Sequence, residues 1–184
     1  MLDYAPVAIA FAQTLLAAVF LLGFWSKVRN QEAFEGVVYN YRLLPEGAVR
    51  PVAYGLPGVE LAIGLGLLIA PVRPFAAMAA VGLLAVFTAA IGVNLARGRR
   101  EIDCGCFSSV LKQHLSGWLV LRNAVLVGLA LWLATGFASP TGITWLEWVA
   151  GGGAALTVIL LYMAASLIAT AARYNAARGS PKRG

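Results

Sequence analysis

The sequence predicts an all-α, polytopic transmembrane bundle of about five spans, a four-helix core with one further C-terminal helix. Three observations predict it. Hydrophobic residues make up 60% of the 184 residues and charged residues only 12%. A water-soluble domain has about 45–50% apolar and about 25% charged residues, and a soluble fold of this composition would expose a large apolar patch. Second, five apolar runs approach the ~20 residues a helix needs to cross about 30 Å of hydrocarbon. Third, the 14 Lys and Arg residues gather between and after those runs, as they do in loops facing the cytoplasm.

The first span is read over residues 5–25, interrupted only by Gln13 and Thr14. It lacks the basic start of a signal peptide, and Lys27 and Arg29 follow it, so it is read as retained. Residues 28–53 mix charges with Phe34, Val37, Val38 and Tyr41 at near-helical spacing, which suits a helix lying flat at the membrane interface. The second span, residues 56–70, is the shortest and contains Pro57 and Glu60. Pro71 ends it, and Pro74 suits the first turn of the third span, residues 74–96. The two are read as a tight antiparallel hairpin. Residues 118–137 form the fourth span and residues 145–172 the fifth. Residues 1–172 are thus read as one transmembrane domain. Residues 173–184 form a basic tail rich in small residues, expected to be disordered.

The net charge of +6 belongs to loops and tail and forms no stripe on a polar domain. Anionic lipid heads suit it, and nucleic acid is excluded as a partner. All basic residues but Arg73 fall in the first and third loops, at the start of the fourth span, or in the tail. The charge rule then places the N-terminus outside and the C-terminus in the cytoplasm of a cell membrane. By parity the first and third loops share one face, bringing Lys27, Glu60, Asn94, Asn123 and Arg122 near the third loop.

That loop holds the overt chemistry: Asp103-Cys104-Gly105-Cys106-Phe107, the only two cysteines of the chain. A bridge between i and i+2 closes a tiny ring and contributes little as a staple. Gly105 gives the backbone freedom to close such a ring, and a strained bridge is easily reduced. Arg99 and Arg100 favour a thiolate while Asp103 opposes one. His114, the only histidine, could move protons during thiol exchange. Three readings stand side by side: a working dithiol, a soft-metal site, and two incidental small residues. Structural zinc wants four ligands and at most three are present, whereas copper(I) accepts two thiolates. Glu60 and Arg122, near the same membrane surface, either snorkel to the interface or join Asn94 and Asn123 in a polar cluster.

The Asp103-Cys104-Gly105-Cys106-Phe107 string, with Leu121-Arg122-Asn123 opening a later helix, resembles the MauE family of methylamine-utilisation membrane proteins. Lys27, Tyr41-Arg42-Leu43-Leu44-Pro45 and Pro57-Gly58-Val59-Glu60-Leu61 resemble the pattern MauE shares with DoxX-like proteins. The family pattern has Gly after the Phe, where Ser108 stands here. The resemblance implies a redox-associated membrane protein. It implies Cys104 and Cys106 as the working dithiol, while Glu60 and Arg122 match family positions without an assigned role; Glu60, Asp103, His114 and Arg122 are the candidate supporting residues read from the chain itself. It also implies a thioredoxin-fold partner and a disulfide-containing client, in the founding family the small subunit of methylamine dehydrogenase. It implies no resident metal or cofactor and leaves quinone use open. Such work lies outside the cytoplasm, whereas the charge rule places the dithiol inside. A different helix count, a re-entrant loop or a relay across the membrane would each reconcile the two. A scaffold that recruits a thiol enzyme is the reading from another class.

Overall fold

A computed structural model describes residues 5–99, 117–135 and 143–179. All the regular structure described is helical: α1 (Ala5–Arg29), α2 (Gln31–Tyr41), α3 (Glu46–Leu68), α4 (Arg73–Ala96), α5 (Gly117–Ala134) and α6 (Trp145–Gly179). Five of these, all but α2, are long and apolar enough to cross a membrane. The all-helical bundle read from the sequence is therefore the observed fold.

α2 is the helix expected flat at the interface. It buries Phe34 and exposes Glu32, with Glu35 half-buried. Arg42 ends it in the left-handed region at φ 48°, donating its backbone N–H to the Tyr39 carbonyl. Pro45 then stands at the N-cap of α3.

α3 corrects the expected second span. It begins at Glu46, ten residues before the expected start at residue 56, and ends at Leu68. The expected start rests on an uninterrupted apolar run, and the first turns of α3 are interrupted by Glu46, Arg50 and Pro51. They continue the helix because Pro51 and Pro57 are both accommodated inside it. A proline inside a helix removes an N–H and so orphans the carbonyl four residues earlier. For Pro57 that carbonyl belongs to Ala53, and the Gln31 side chain donates Nε2–H to it at 2.8 Å. α2 thus supplies the hydrogen bond that α3 cannot make for itself.

α3 turns through Ile69–Val72 into α4, with Pro74 in the first turn, which is the tight hairpin expected. α4 stops where Gly98 takes φ +74°, a conformation that costs glycine nothing. At the head of α6, Glu147 Oε2 accepts from Thr144 N–H at 2.6 Å, and the Glu147 N–H reaches Thr144 Oγ1 at 3.4 Å. This reciprocal cap fixes the helix start. α6 then runs on to Gly179, past the expected end at residue 172 and into the stretch read as a disordered tail.

α1 is the centre of the bundle, packed against α3, α5 and α6, while α4 lies against α3 and α5. Its Ile9, Leu16 and Phe20 meet Leu67 of α3, Leu84 of α4 and Leu133 of α5 in the core. Lipid tails are as apolar as these side chains, so close van der Waals packing must hold helices together. Two glycines provide it. A Cβ on Gly64 would lie 2.8 Å from Leu21, and one on Gly151 would lie 2.7 Å from the Ala10 side chain and the Val7 carbonyl. The α1–α3 and α1–α6 crossings both depend on that missing methyl.

Candidate functional site: a buried ion pair between α1 and α3

α1 carries Lys27 into the interior in its last turn. The helix breaks at Asn30, and α2 places Phe34 over the ammonium, 5.1 Å from its ring centre. Phe87 of α4 lies on another side at 5.9 Å. Glu60 comes from α3, with its two carboxylate oxygens 2.7 and 2.9 Å from Lys27 Nζ. Lys27 and Glu60 are 2% and 3% exposed. A lone charge at this depth would be strongly disfavoured, so each residue makes burial of the other tolerable. Gly23, one turn before Lys27, makes room: a Cβ there would stand 3.3 Å from Glu60 Oε1.

Arg122, in the second turn of α5, donates Nη1–H to Tyr162 Oη at 2.9 Å and Nη2–H to Asn123 Oδ1 at 3.2 Å. The first of these bonds ties α5 to α6. Lys27, Glu60, Arg122 and Asn123 together line a small interior cavity of about 20 Å³. Beside it, a larger apolar groove of about 360 Å³ runs between α2, α3 and α4 and has Lys27 and Phe87 in its wall.

Glu60 and Arg122, singled out from the sequence, do meet at one cavity. Glu60 lies well inside α3, however, because that helix starts earlier than expected. Its carboxylate pairs with Lys27. Two signals in the sequence pointed there: a lysine closing an otherwise uncharged span, and a glycine one turn before it. Asn94 is fully buried on α4, but its amide donates to Ala90 O of its own helix at 3.1 Å. Asp103, Cys104, Cys106 and His114 lie outside the described residues.

The described residues on either side of that stretch are Arg99 and Gly117. On the α4 side, Arg99 donates to Asn40 O at 3.1 Å and Arg97 to Arg42 O at 3.5 Å. Both acceptors belong to the C-terminal end of α2. On the other side the chain re-enters at Gly117, five residues before Arg122. Both ends therefore leave the same end of the bundle as the Lys27–Glu60 pair. No group of three or more His, Cys, Asp or Glu side chains that could hold a metal occurs among the described residues.

Five spanning helices around a buried ion pair define a multi-pass membrane protein. The chain belongs to the MauE family: the model of "Methylamine utilisation protein MauE" matches residues 5–136. It is 45% identical over 163 residues to the methylamine utilization protein MauE of Paracoccus denitrificans, covering 89% of this chain and 88% of that protein. The MauE of Paracoccus versutus is 46% identical over 158 residues, 85% of this chain and 84% of its own. The MauE of Methylophilus methylotrophus is 37% identical over 164 residues, 89% and 86%. No solved structure matches the chain.

Proposed function

We propose that this chain serves methylamine utilisation as a membrane thiol–disulfide protein, with Cys104 and Cys106 as its working pair. One thiolate attacks a disulfide of a thioredoxin-fold partner, forming a mixed disulfide and releasing one partner thiol. The second cysteine resolves it, leaving a Cys104–Cys106 disulfide and a reduced partner, with two electrons and two protons transferred. Run in reverse, the same exchange oxidises the partner. Either direction supports maturation of a disulfide-containing protein outside the cytoplasm.

The observation that carries this reading is the Cys-Gly-Cys string, in the stretch of chain that joins α4 to α5, the helix that brings Arg122 and Asn123 to the buried polar cluster. The names of its relatives support the pathway. Among the charged residues lining the cavity, Lys27 and Arg122 stand against Glu60. A positive balance near a cysteine favours a thiolate over a thiol. Glu60 and Arg122 act as positioning residues, holding α3 and α5 at the cavity they share.

The test is trapping. Cys104→Ser and Cys106→Ser are expressed separately in a methylamine-grown host, and membranes are resolved without reductant. One variant accumulates a mixed disulfide with a thioredoxin-fold protein, and the other does not. If the double serine variant supports growth on methylamine as well as wild type, the chain is a scaffold that needs no dithiol. Copper or zinc retained in proportion to protein, and lost in the double variant, would make it a metal-handling protein instead.

A further inference from the structure

The small cavity lined by Lys27, Glu60, Arg122 and Asn123 has a polar feature that the ion pair does not account for. Asn123 is 1% exposed. Its Oδ1 accepts from Arg122, which fixes which way the amide points, since the flipped amide would set N–H against guanidinium N–H. Its Nδ2 is buried and has no hydrogen-bond partner in the protein. The same amide lines the cavity that Glu60 and Lys27 line from the opposite helices. Buried amide donors are almost always satisfied, by protein or by ordered water.

The volume is informative. A water molecule needs about 10–15 Å³ of space for its centre, and two to four polar partners. The cavity offers about 20 Å³, enough for one water and too little for a larger solute. Its polar wall has donors in Asn123, Lys27 and Arg122 and a carboxylate acceptor in Glu60. A water fits that set: its lone pairs accept from Asn123 Nδ2 and a neighbouring cation, and its O–H donates to Glu60. Its remaining walls, Phe20 and Leu84 among them, are apolar and confine it.

We propose that this cavity is a single-water site that links Asn123 on α5 to the Lys27–Glu60 pair between α1 and α3. The water completes the hydrogen bonding of Asn123. It also gives Glu60 a proton-exchanging neighbour inside the membrane. α5 is the helix that the cysteine segment enters, so the link joins the ion pair to the first turns after that segment. The site rests on the bundle interior alone and does not require the thiol chemistry proposed above.

The test is radiolytic hydroxyl labelling of the full chain in lipid nanodiscs, with rapid mixing into ¹⁸O water. Hydroxyl radicals form where water is, so a bound water marks its apolar neighbours. Phe20 and Leu84, 2% and 3% exposed, are expected to label severalfold more than lipid-facing Leu160, and to take up ¹⁸O more slowly than loop residues. Asn123→Leu removes the donor and fills the space, and labelling at Phe20 and Leu84 should fall severalfold. Gly23→Ala, which narrows the cavity beside Glu60, should lower it too and serves if Asn123→Leu does not fold. Wild-type labelling at Phe20 and Leu84 no higher than at Leu160 overturns the site. So does labelling that persists unchanged in both variants. Neither outcome bears on the cysteines, which are intact throughout.

Discussion

Lys27 Nζ sits between the two oxygens of Glu60 at 2.7 and 2.9 Å, and neither side chain has appreciable contact with the outside of the bundle. The pair joins the last turn of α1 to the interior of α3. Two charges so placed are interdependent in a way that surface charges are not. Removing one partner of a buried pair leaves an uncompensated charge, a loss of about 3–5 kcal/mol, whereas replacing both by apolar groups is often close to neutral. Lys27→Met and Glu60→Met are therefore each expected to lower resistance to unfolding by that order. The double variant should be less destabilised than either single one. Reversible unfolding in mixed micelles measures the cycle. A double variant as unstable as the sum of the singles would mean that the residues act separately.

Gln31 and Pro57 form a second coupled pair, through the Ala53 carbonyl. Leaving a buried carbonyl unpaired costs about 1–3 kcal/mol, so Gln31→Leu should destabilise by that amount. Pro57→Ala restores the backbone N–H that Ala53 lacks within α3. In the Pro57→Ala background, Gln31→Leu should therefore cost much less. The same unfolding measurement checks this, and equal effects of Gln31→Leu in both backgrounds would show that the bond to Ala53 is incidental.

Gly151 and Gly153 lie on the same helix two residues apart and should respond in opposite ways. A methyl on Gly151 meets Ala10, Phe11 and Val7 at 2.7 Å, while one on Gly153 meets nothing within 4 Å. Gly151→Ala is expected to loosen the α1–α6 crossing at about 1–3 kcal/mol, the usual result of overpacking. Gly153→Ala should be neutral or stabilising by about 0.5–1 kcal/mol, because alanine suits a helix better than glycine. Disulfide cross-linking between engineered cysteines on α1 and α6, in a chain lacking Cys104 and Cys106, reports the crossing directly.

The side on which the cysteine segment lies is open to measurement in intact cells. The charge distribution predicts that a reporter active only in the cytoplasm, fused after Gly184, will be active. It also predicts that an impermeant maleimide will reach Cys104 and Cys106 only after the cells are opened. Labelling in intact cells after mild reduction would place the pair on the outer side. It would support direct exchange with an extracytoplasmic partner over a relay.

The spans were legible because they answer to one simple demand, about 20 apolar residues across the hydrocarbon. That demand says little about helix outside the hydrocarbon, which is why the start of α3 was placed too late. The turns from Glu46 to Tyr54 are interfacial, and their helicity rests on tertiary contacts such as Gln31 to Ala53. The polar cluster was half legible. Glu60 and Arg122 stood out because ionisable groups within spans are rare, and parity brought them to one face. That Glu60 would bind Lys27 depends on how α1 rotates about its axis. Gly23, by letting α3 come close, is what sets the carboxylate beside Lys27. The helix break at Asn30 and the placement of Phe34 over the ammonium are not legible in single segments, since they arise only when α2 packs into the bundle.

α6 has a position unlike that of the other spans. It lies beyond residues 5–136, which the family match covers, and it leans on α1 with most of its surface turned to lipid. α1, α3, α4 and α5 make two round trips through the bilayer and return the chain to the compartment it left. α6 is a one-way journey added at the end. It alone decides in which compartment the basic residues Arg173, Arg178, Lys182 and Arg183 arrive. A chain that lost or gained such a helix would move its C-terminal end to the opposite side of the membrane while the contact between Lys27 and Glu60 stayed where it is. The address of the tail and the chemistry of the interior are therefore free to change independently.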